Sequence, residues 1–189
     1  MTEDPVELRV GELLDRVASA QPGPAGGTVA ALVVAMAAGL CAMAARLATD
    51  HLRHAPELVA RSERLRARAT PLARADAQAY ARVLAAPREQ RREAARSAAT
   101  DVPLEVAGIA AEVADLAGEL AHGGKPDLRG DALTAVCLAE AVARACAHLV
   151  AINLAGTDDV RIAEASRLAA AAARMGTQLW PTYLVPRRS

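Results

Sequence analysis

The sequence predicts an all-α protein, a bundle of several long helices, and three observations support this. Alanine, the strongest helix former, supplies 49 of the 189 residues. Aromatic residues, which favour strands, make up only 2% of the chain, and Phe is absent. Hydrophobic residues nevertheless reach 53%, enough for a core of Ala, Leu and Val between closely packed helices. We expect one domain over residues 1–189, with an ordered core from about residue 6 to 179.

Hydrophobic spacing and helix breakers divide the chain into six predicted helical segments. They cover residues 5–20, 28–49, 57–86, 88–122, 131–155 and 158–179. Pro56 suits the first turn of the third segment. Pro71 predicts a kink within that segment, and Pro103 predicts either a second kink or a boundary between two shorter helices. The last residues, from Trp180 to Ser189, are expected to be loosely ordered.

The second segment is expected to be the central helix, because it has no charged residue from Val29 to Ala45. Its small residues Gly27, Ala31, Ala35 and Gly39 recur every four positions, which predicts a ridge where another helix approaches closely. The run is shorter than the roughly 20 residues of a membrane span and is dominated by alanine, so a buried helix is favoured over a membrane helix. We expect it to be surrounded on all sides, in part by a partner chain.

Charge and cysteine content narrow the classes of function. The 22 basic residues balance the 22 acidic ones, which argues against a nucleic-acid-binding protein. Cys41, Cys137 and Cys146 are an odd number without a disulfide pattern, which predicts a reducing, cytoplasmic location. The acidic N-terminus does not resemble a signal peptide. His51 and His54 have no evident third ligand, so no metal site is expected.

A turn rich in Pro and Gly leads into the central helix, where residues 22–32 read PGPAGGTVAAL. Glycine lets a ligand approach the backbone closely, and Thr28 is a suitable N-cap for the helix. The unpaired N–H groups of a helix N-terminus favour a carboxylate or phosphate. The same residues also fit an ordinary turn from loop to helix, and the turn alone does not decide between the two.

Asp76 is a candidate for acid–base chemistry. It shares a helix face with Tyr80, four residues later, and most of its neighbours are alanines. Apolar surroundings raise the pKa of a carboxyl group toward the range that general acids and bases use. From spacing alone, however, an exposed carboxylate paired with Arg74 or Arg82 is the favoured interpretation.

Two further polar residues have structural explanations as well as functional ones. Asp131 follows a Gly/Pro loop and begins a predicted helix, so N-capping is its simplest role. Asn153 lies late in an apolar helix, where its amide needs partners if it is buried. It could cap the helix end, contact a partner helix or bind a ligand.

Taken in order, these segments resemble the formiminotetrahydrofolate cyclodeaminase / methenyltetrahydrofolate cyclohydrolase family from about residue 6 to 175. The matching stretches are PAGGTVAAL at 24–32, MAARLA at 43–48, DAQAY at 76–80, VPL at 102–104, GD at 130–131 and INL at 152–154. The aspartate of the family's Asp-x-x-Ala-Tyr element is its presumed acid/base, so the resemblance implies a catalytic role for Asp76.

The resemblance also implies an all-helical homodimer with a folate site close to the subunit interface. The substrate would be a tetrahydrofolate derivative, 5-formimino- or 5,10-methenyltetrahydrofolate, and neither reaction needs a metal. The residues implied to bind the substrate are Gly26, Gly27, Thr28, Tyr80, Asp131 and Asn153. This chain departs from the family pattern at Ala25 and Thr28, where Gly and Ser are usual. A catalytically silent helical dimer that binds folate or a protein partner is therefore the alternative.

Overall fold

The computed structural model describes residues 4–20 and 23–184, with side chains as far as Leu179. Over these ranges the chain forms seven α-helices, one short 3-10 helix at Pro126–Leu128 and no β-strand. The helices are α1 (Val10–Ala18), α2 (Gly26–Leu47), α3 (Ala55–Ala85), α4 (Glu89–Ala99), α5 (Asp101–Gly123), α6 (Arg129–Asn153) and α7 (Val160–Leu184). The predicted all-α fold is confirmed.

The observed helix boundaries decide between the alternatives at Pro103 and move the end of the last helix. Pro103 marks a boundary, not a kink: α4 ends at Ala99, and Pro103 is the third residue of α5, where its missing N–H costs no helical hydrogen bond. α3 continues through Pro71. α7 extends through Trp180 to Leu184, five residues beyond the expected ordered core. Positions 21–22 of the predicted turn and 185–189 of the tail lie outside the described residues.

The core is centred on α2 and α5. α2 packs mainly against α3, α6 and α5, and α5 packs mainly against α6 and α7. Each of the two central helices buries twelve residues, most of them alanine or valine. Side chains this small let the helix axes approach closely, so a dense core forms almost without aromatic residues.

The ridge of small residues on α2 faces α3. Ala31 is fully buried and Ala35 is 8% exposed. A Cβ added at Gly27 would collide with the Asp76 side chain, and one added at Gly39 would lie 3.9 Å from the Arg66 side chain. Since Asp76 follows Arg66 along α3 while Gly27 precedes Gly39 along α2, the two helices are antiparallel.

One side of α2 is open to solvent in the single chain, so the expectation that the helix is covered on all sides does not hold within one copy. Met36 is 60% exposed, Met43 36% and Leu47 54%, and half-buried Leu40 lies between them. We call Met36, Leu40, Met43 and Leu47 the open stripe. Its spacing of four, three and four residues is typical of a helix–helix contact.

Within the described part of the chain, two segments are long and apolar enough to span a membrane by length and composition, Gly26–Leu47 and Pro126–Asn153. In the first, 61% of the most apolar window is buried inside the fold, and in the second 39%. The core position of α2 accounts for its apolar composition without a membrane.

We expect Ala35→Leu to destabilise the protein by about 1–3 kcal/mol, because the larger side chain must fit between α2 and α3. The free energy of unfolding from urea titration measures the effect. Ala67→Leu makes the same change at an exposed position of α3 and should cost little. Equal stabilities for the two variants would contradict a tightly packed ridge.

Candidate active site

The carboxyl group of Asp76 lies directly against the first turn of α2. The Thr28 hydroxyl donates a hydrogen bond of 2.9 Å to Asp76 Oδ2. The carboxyl group also occupies the space that a side chain at position 27 would fill, so only glycine leaves room for it there. Folding thus joins two sequence motifs that are 48 residues apart.

The N-terminus of α2 explains why a carboxyl group is held at this place. The first helical hydrogen bond runs from the Val29 N–H to the Ala25 carbonyl, at 3.0 Å. The N–H groups of the three residues before Val29 therefore have no acceptor within the helix, and Ala25 offers no capping side chain. A carboxylate from α3 is well suited to these donors and to the positive end of the helix dipole.

The prediction that Thr28 is the N-cap is therefore wrong. The helix begins two residues earlier, at Gly26, and Thr28 is its third residue. Its hydroxyl is free to donate to Asp76 because it does not cap its own helix. The capping rule considers only residues next to each other in the sequence. In the structure, the Thr28 hydroxyl donates instead to a carboxyl group from α3.

Burial raises the pKa of Asp76, and the hydrogen bonds from Thr28 partly oppose this rise. Cys146 of α6 is close enough to Asp76 for the carboxylate to influence the pKa of its thiol. Burial raises the pKa of the Cys146 thiol to about 12, with a smaller contribution from the Asp76 carboxylate. The thiol is therefore neutral at physiological pH, and it adds no charge to the half-buried surroundings of Asp76.

The exposed ion pair that spacing alone favoured for Asp76 is not found. Arg74 forms an ion pair with Asp4 near the N-terminus, and Asp76 is half-buried and bonded to Thr28. The geometry thus agrees with the condition for acid–base chemistry. Whether Asp76 performs that chemistry stays a prediction.

Tyr80 and Gly26 lie next to this contact. Tyr80 is one helical turn after Asp76 on α3 and is 41% exposed. Gly26 is exposed at the first position of α2, with open space where a side chain would be. Both residues are placed where a ligand approaching Asp76 from solvent could meet them.

Asp131 lies far from this contact within one chain. It is the third residue of α6 and 15 positions before Cys146, which corresponds to about 22 Å along the helix. The prediction that it is an N-cap is wrong, because α6 begins at Arg129 and Leu128 precedes it. As an acidic residue in the first turn, Asp131 still interacts favourably with the helix dipole.

Asn153 ends α6, seven positions after Cys146, or about 10 Å further along the helix. It lines a cavity of about 540 Å³ between α4 and the turn that follows α6. The polar side chains of this cavity come from Glu93, Arg96, Ser97, Asn153, Thr157 and Asp159, and Asp76 is not among its lining residues. The roles of Tyr80, Asp131 and Asn153 in substrate binding stay predictions.

Two features of the site were not found from the sequence, the bond between Thr28 and Asp76 and the position of Cys146. The motifs named both Thr28 and Asp76, but no local spacing relates residues so far apart. Cys146 was noted only as one of three cysteines in apolar helices.

Among the described residues, no group of three or more His, Cys, Asp or Glu side chains could hold a metal ion.

Comparison with known proteins identifies the family. Residues 9–173 match the formiminotransferase-cyclodeaminase family, a region that includes Thr28, Asp76 and Asn153. The chain belongs to this family. The predicted resemblance is confirmed, and with it the assignment to the folate one-carbon enzymes.

Two relatives illustrate the range of activities among similar proteins. The chain is 35% identical to a methenyltetrahydrofolate cyclohydrolase of Methylorubrum extorquens, over 80% of this chain and 81% of that protein. Its fold is similar to the crystal structure of a formiminotetrahydrofolate cyclodeaminase from Thermotoga maritima, with a TM-score of 0.77 and 27% identity. That match covers 92% of this chain and 98% of the other.

We expect Gly27→Ala to cost roughly 1–3 kcal/mol of stability, because the added methyl group displaces the Asp76 carboxyl group from α2. Gly26→Ala is the matched comparison: its methyl group meets open space, and alanine is the better helix former by roughly 0.5–1 kcal/mol. Chemical denaturation of both variants measures the difference. If Gly27→Ala proved as stable as Gly26→Ala, the close approach of Asp76 to this turn would be wrong.

Proposed function

We propose that this chain hydrolyses 5,10-methenyltetrahydrofolate to 10-formyltetrahydrofolate, with Asp76 as the group that moves the proton. The main support is the half-buried Asp76 carboxyl group held against the first turn of α2 by Thr28. The 35% identity to a methenyltetrahydrofolate cyclohydrolase favours this reaction among those of the family.

The reaction adds water to the carbon that bridges N5 and N10. Asp76, as a carboxylate, accepts a proton from the water while the water oxygen bonds to the carbon, which removes the positive charge of the methenyl group. The bond between this carbon and N5 then breaks, and N5 keeps the electron pair and takes a proton from Asp76. Loss of the hydroxyl proton leaves the formyl group on N10, so each turnover releases one proton to solvent.

The charge of Asp76 suits a cationic substrate. Among the described residues, no hydrogen bond or ion pair joins Asp76 to a cationic side chain, and its hydrogen-bond partner is Thr28. The carboxylate is therefore available to stabilise the positive charge of the one-carbon group, an interaction that is strong in a site with little water.

Cyclodeamination of 5-formiminotetrahydrofolate is the second candidate, favoured by the structural similarity to the Thermotoga maritima cyclodeaminase. In that reaction N10 attacks the formimino carbon, and ammonia leaves after its nitrogen is protonated. Asp76 in its acid form would donate that proton. The raised pKa of Asp76 suits this role as well as the first.

We expect Asp76→Asn to lower kcat by a factor of about 10² to 10⁴, the usual contribution of a general acid or base. Asparagine retains an oxygen that can accept the bond from Thr28, so the helical content should not change. Loss of the near-ultraviolet absorbance of 5,10-methenyltetrahydrofolate measures hydrolysis, and ammonia release measures cyclodeamination. Asp115→Asn, at an exposed position of α5, is the control and should retain full activity.

Three outcomes of this experiment would change the proposal. Undiminished turnover by Asp76→Asn would remove Asp76 from the mechanism. Turnover of the formimino substrate alone would replace hydrolysis by cyclodeamination. Turnover of neither substrate by the wild-type protein would favour the catalytically silent dimer.

We also propose that the protein is a homodimer assembled through the open stripe of α2. Apolar side chains with the spacing of a helix–helix contact are exposed on the most apolar helix of the core. A second copy of the same chain offers the same stripe, and two such surfaces are self-complementary in a twofold dimer.

The cytoplasmic location also stays a prediction.

We expect Met36→Glu combined with Met43→Glu to convert the dimer to a monomer, because two carboxylates per chain would have to be buried in the contact. Size-exclusion chromatography with light scattering measures the molar mass. Ala67→Glu, at an exposed position of α3, controls for added charge and should leave the dimer intact. A wild-type monomer, or a double variant that remains dimeric, would contradict the assignment.

A further inference from the structure

Thr28 is fully buried, and its hydroxyl is engaged by Asp76 rather than directed to solvent. We propose that Thr28 is a positioning residue, which holds the Asp76 carboxyl group in place for proton transfer and does not itself bind folate. This inference rests on the proposed function. It replaces the substrate-binding role that the family resemblance implied for Thr28.

The contacts of the carboxyl group explain how the positioning works. One oxygen, Oδ2, is bonded to the Thr28 hydroxyl, and the other lies against the backbone of Gly27. The carboxyl group is therefore restrained on both sides by the same turn of α2. Loss of the hydroxyl would release one of these restraints, and a displacement of about 1 Å is enough to lower a rate by up to about 10².

The Thr28 hydroxyl also affects the titration of Asp76. Its hydrogen bond lowers the pKa of Asp76, against the effect of burial. Removing the hydroxyl leaves burial less opposed, so the pKa of Asp76 should rise further. As the pH is lowered, a general base with a higher pKa becomes protonated earlier. The enzyme therefore loses its activity at a higher pH on the acid side of its pH–rate profile.

The other titratable groups around Asp76 do not obscure this change. Cys146, on α6, has a pKa of about 12 and stays neutral. Arg74, on the same helix as Asp76, is paired with Asp4. Tyr80 follows one turn later on α3, and the first turn of α2 contains no titratable side chain.

The test compares Thr28→Val, which has the same shape without the hydroxyl, with Thr28→Ser, which keeps the hydroxyl. We expect Thr28→Val to lower kcat by about tenfold to a hundredfold with little change in KM. The acid limb of its pH–rate profile should move to higher pH, and Thr28→Ser should restore both properties. Thr100→Val is the matched control, since Thr100 is also fully buried but its hydroxyl donates to the Arg96 carbonyl.

Carboxyl titration by NMR of protein with ¹³C-labelled aspartate, with Asp76→Asn for assignment, tests the contact without substrate. An unchanged Asp76 titration in Thr28→Val overturns the proposal whether or not the enzyme is active. A raised KM with unchanged kcat also overturns it, because Thr28 would then bind substrate. If Thr28→Val does not fold, Thr28→Ala is measured in the same way.

The failure of the proposed function gives a different result. If the wild-type protein turns over neither folate substrate, the catalytic role of Thr28 fails with the proposed function. The NMR titration then still shows whether the Thr28 hydroxyl controls the ionisation of Asp76. A shift of that titration with no shift of the pH–rate profile in an active enzyme would show that Asp76 is not the group that limits turnover, which overturns the positioning role.

Discussion

The contact between the Asp76 carboxyl group and the first turn of α2 limits how far apart α2 and α3 can lie. For a carboxyl group on α3 to reach the backbone of α2, the two helices must lie very close together. Gly27 provides the space at the contact itself, and Ala31 and Ala35 continue the close approach along the interface. A chain that is rich in alanine and almost without aromatic residues is what such packing requires.

A carboxyl group that only capped a helix would be expected in a different place. A Ser or Asp at position 25 would satisfy the same N–H groups locally, at the helix surface and without burial. The chain instead has alanine there and brings a half-buried carboxyl group from another helix, at a cost in desolvation that raises its pKa. That cost is difficult to explain by helix capping alone, whereas a proton-transferring group benefits from the raised pKa.

The fold was predictable from the sequence because composition and helical periodicity act over short distances. Pro103 illustrates the limit: the sequence allowed a kink or a boundary, and only the packing of α4 and α5 decides between them. Thr28 illustrates a second limit, since the capping rule does not include side chains from other helices. The neighbourhood of Asp76, with Thr28 and Cys146 on different helices, depends on how α2, α3 and α6 pack, and no spacing in the sequence encodes that packing.

The position of Asp131 connects the site to the question of assembly. It lies about 22 Å from Cys146 along α6, whereas Asp76 is close enough to Cys146 to influence the pKa of its thiol, so Asp131 and Asp76 are well separated within one chain. A substrate-binding role of Asp131 beside Asp76 therefore depends on the proposed dimer, whose open stripe belongs to the same helix as Gly27 and Thr28. Without such an arrangement, Asp131 only stabilises the first turn of α6. The catalytic assignment of Asp76 is therefore independent of the dimer, whereas any substrate-binding role of Asp131 beside Asp76 requires it.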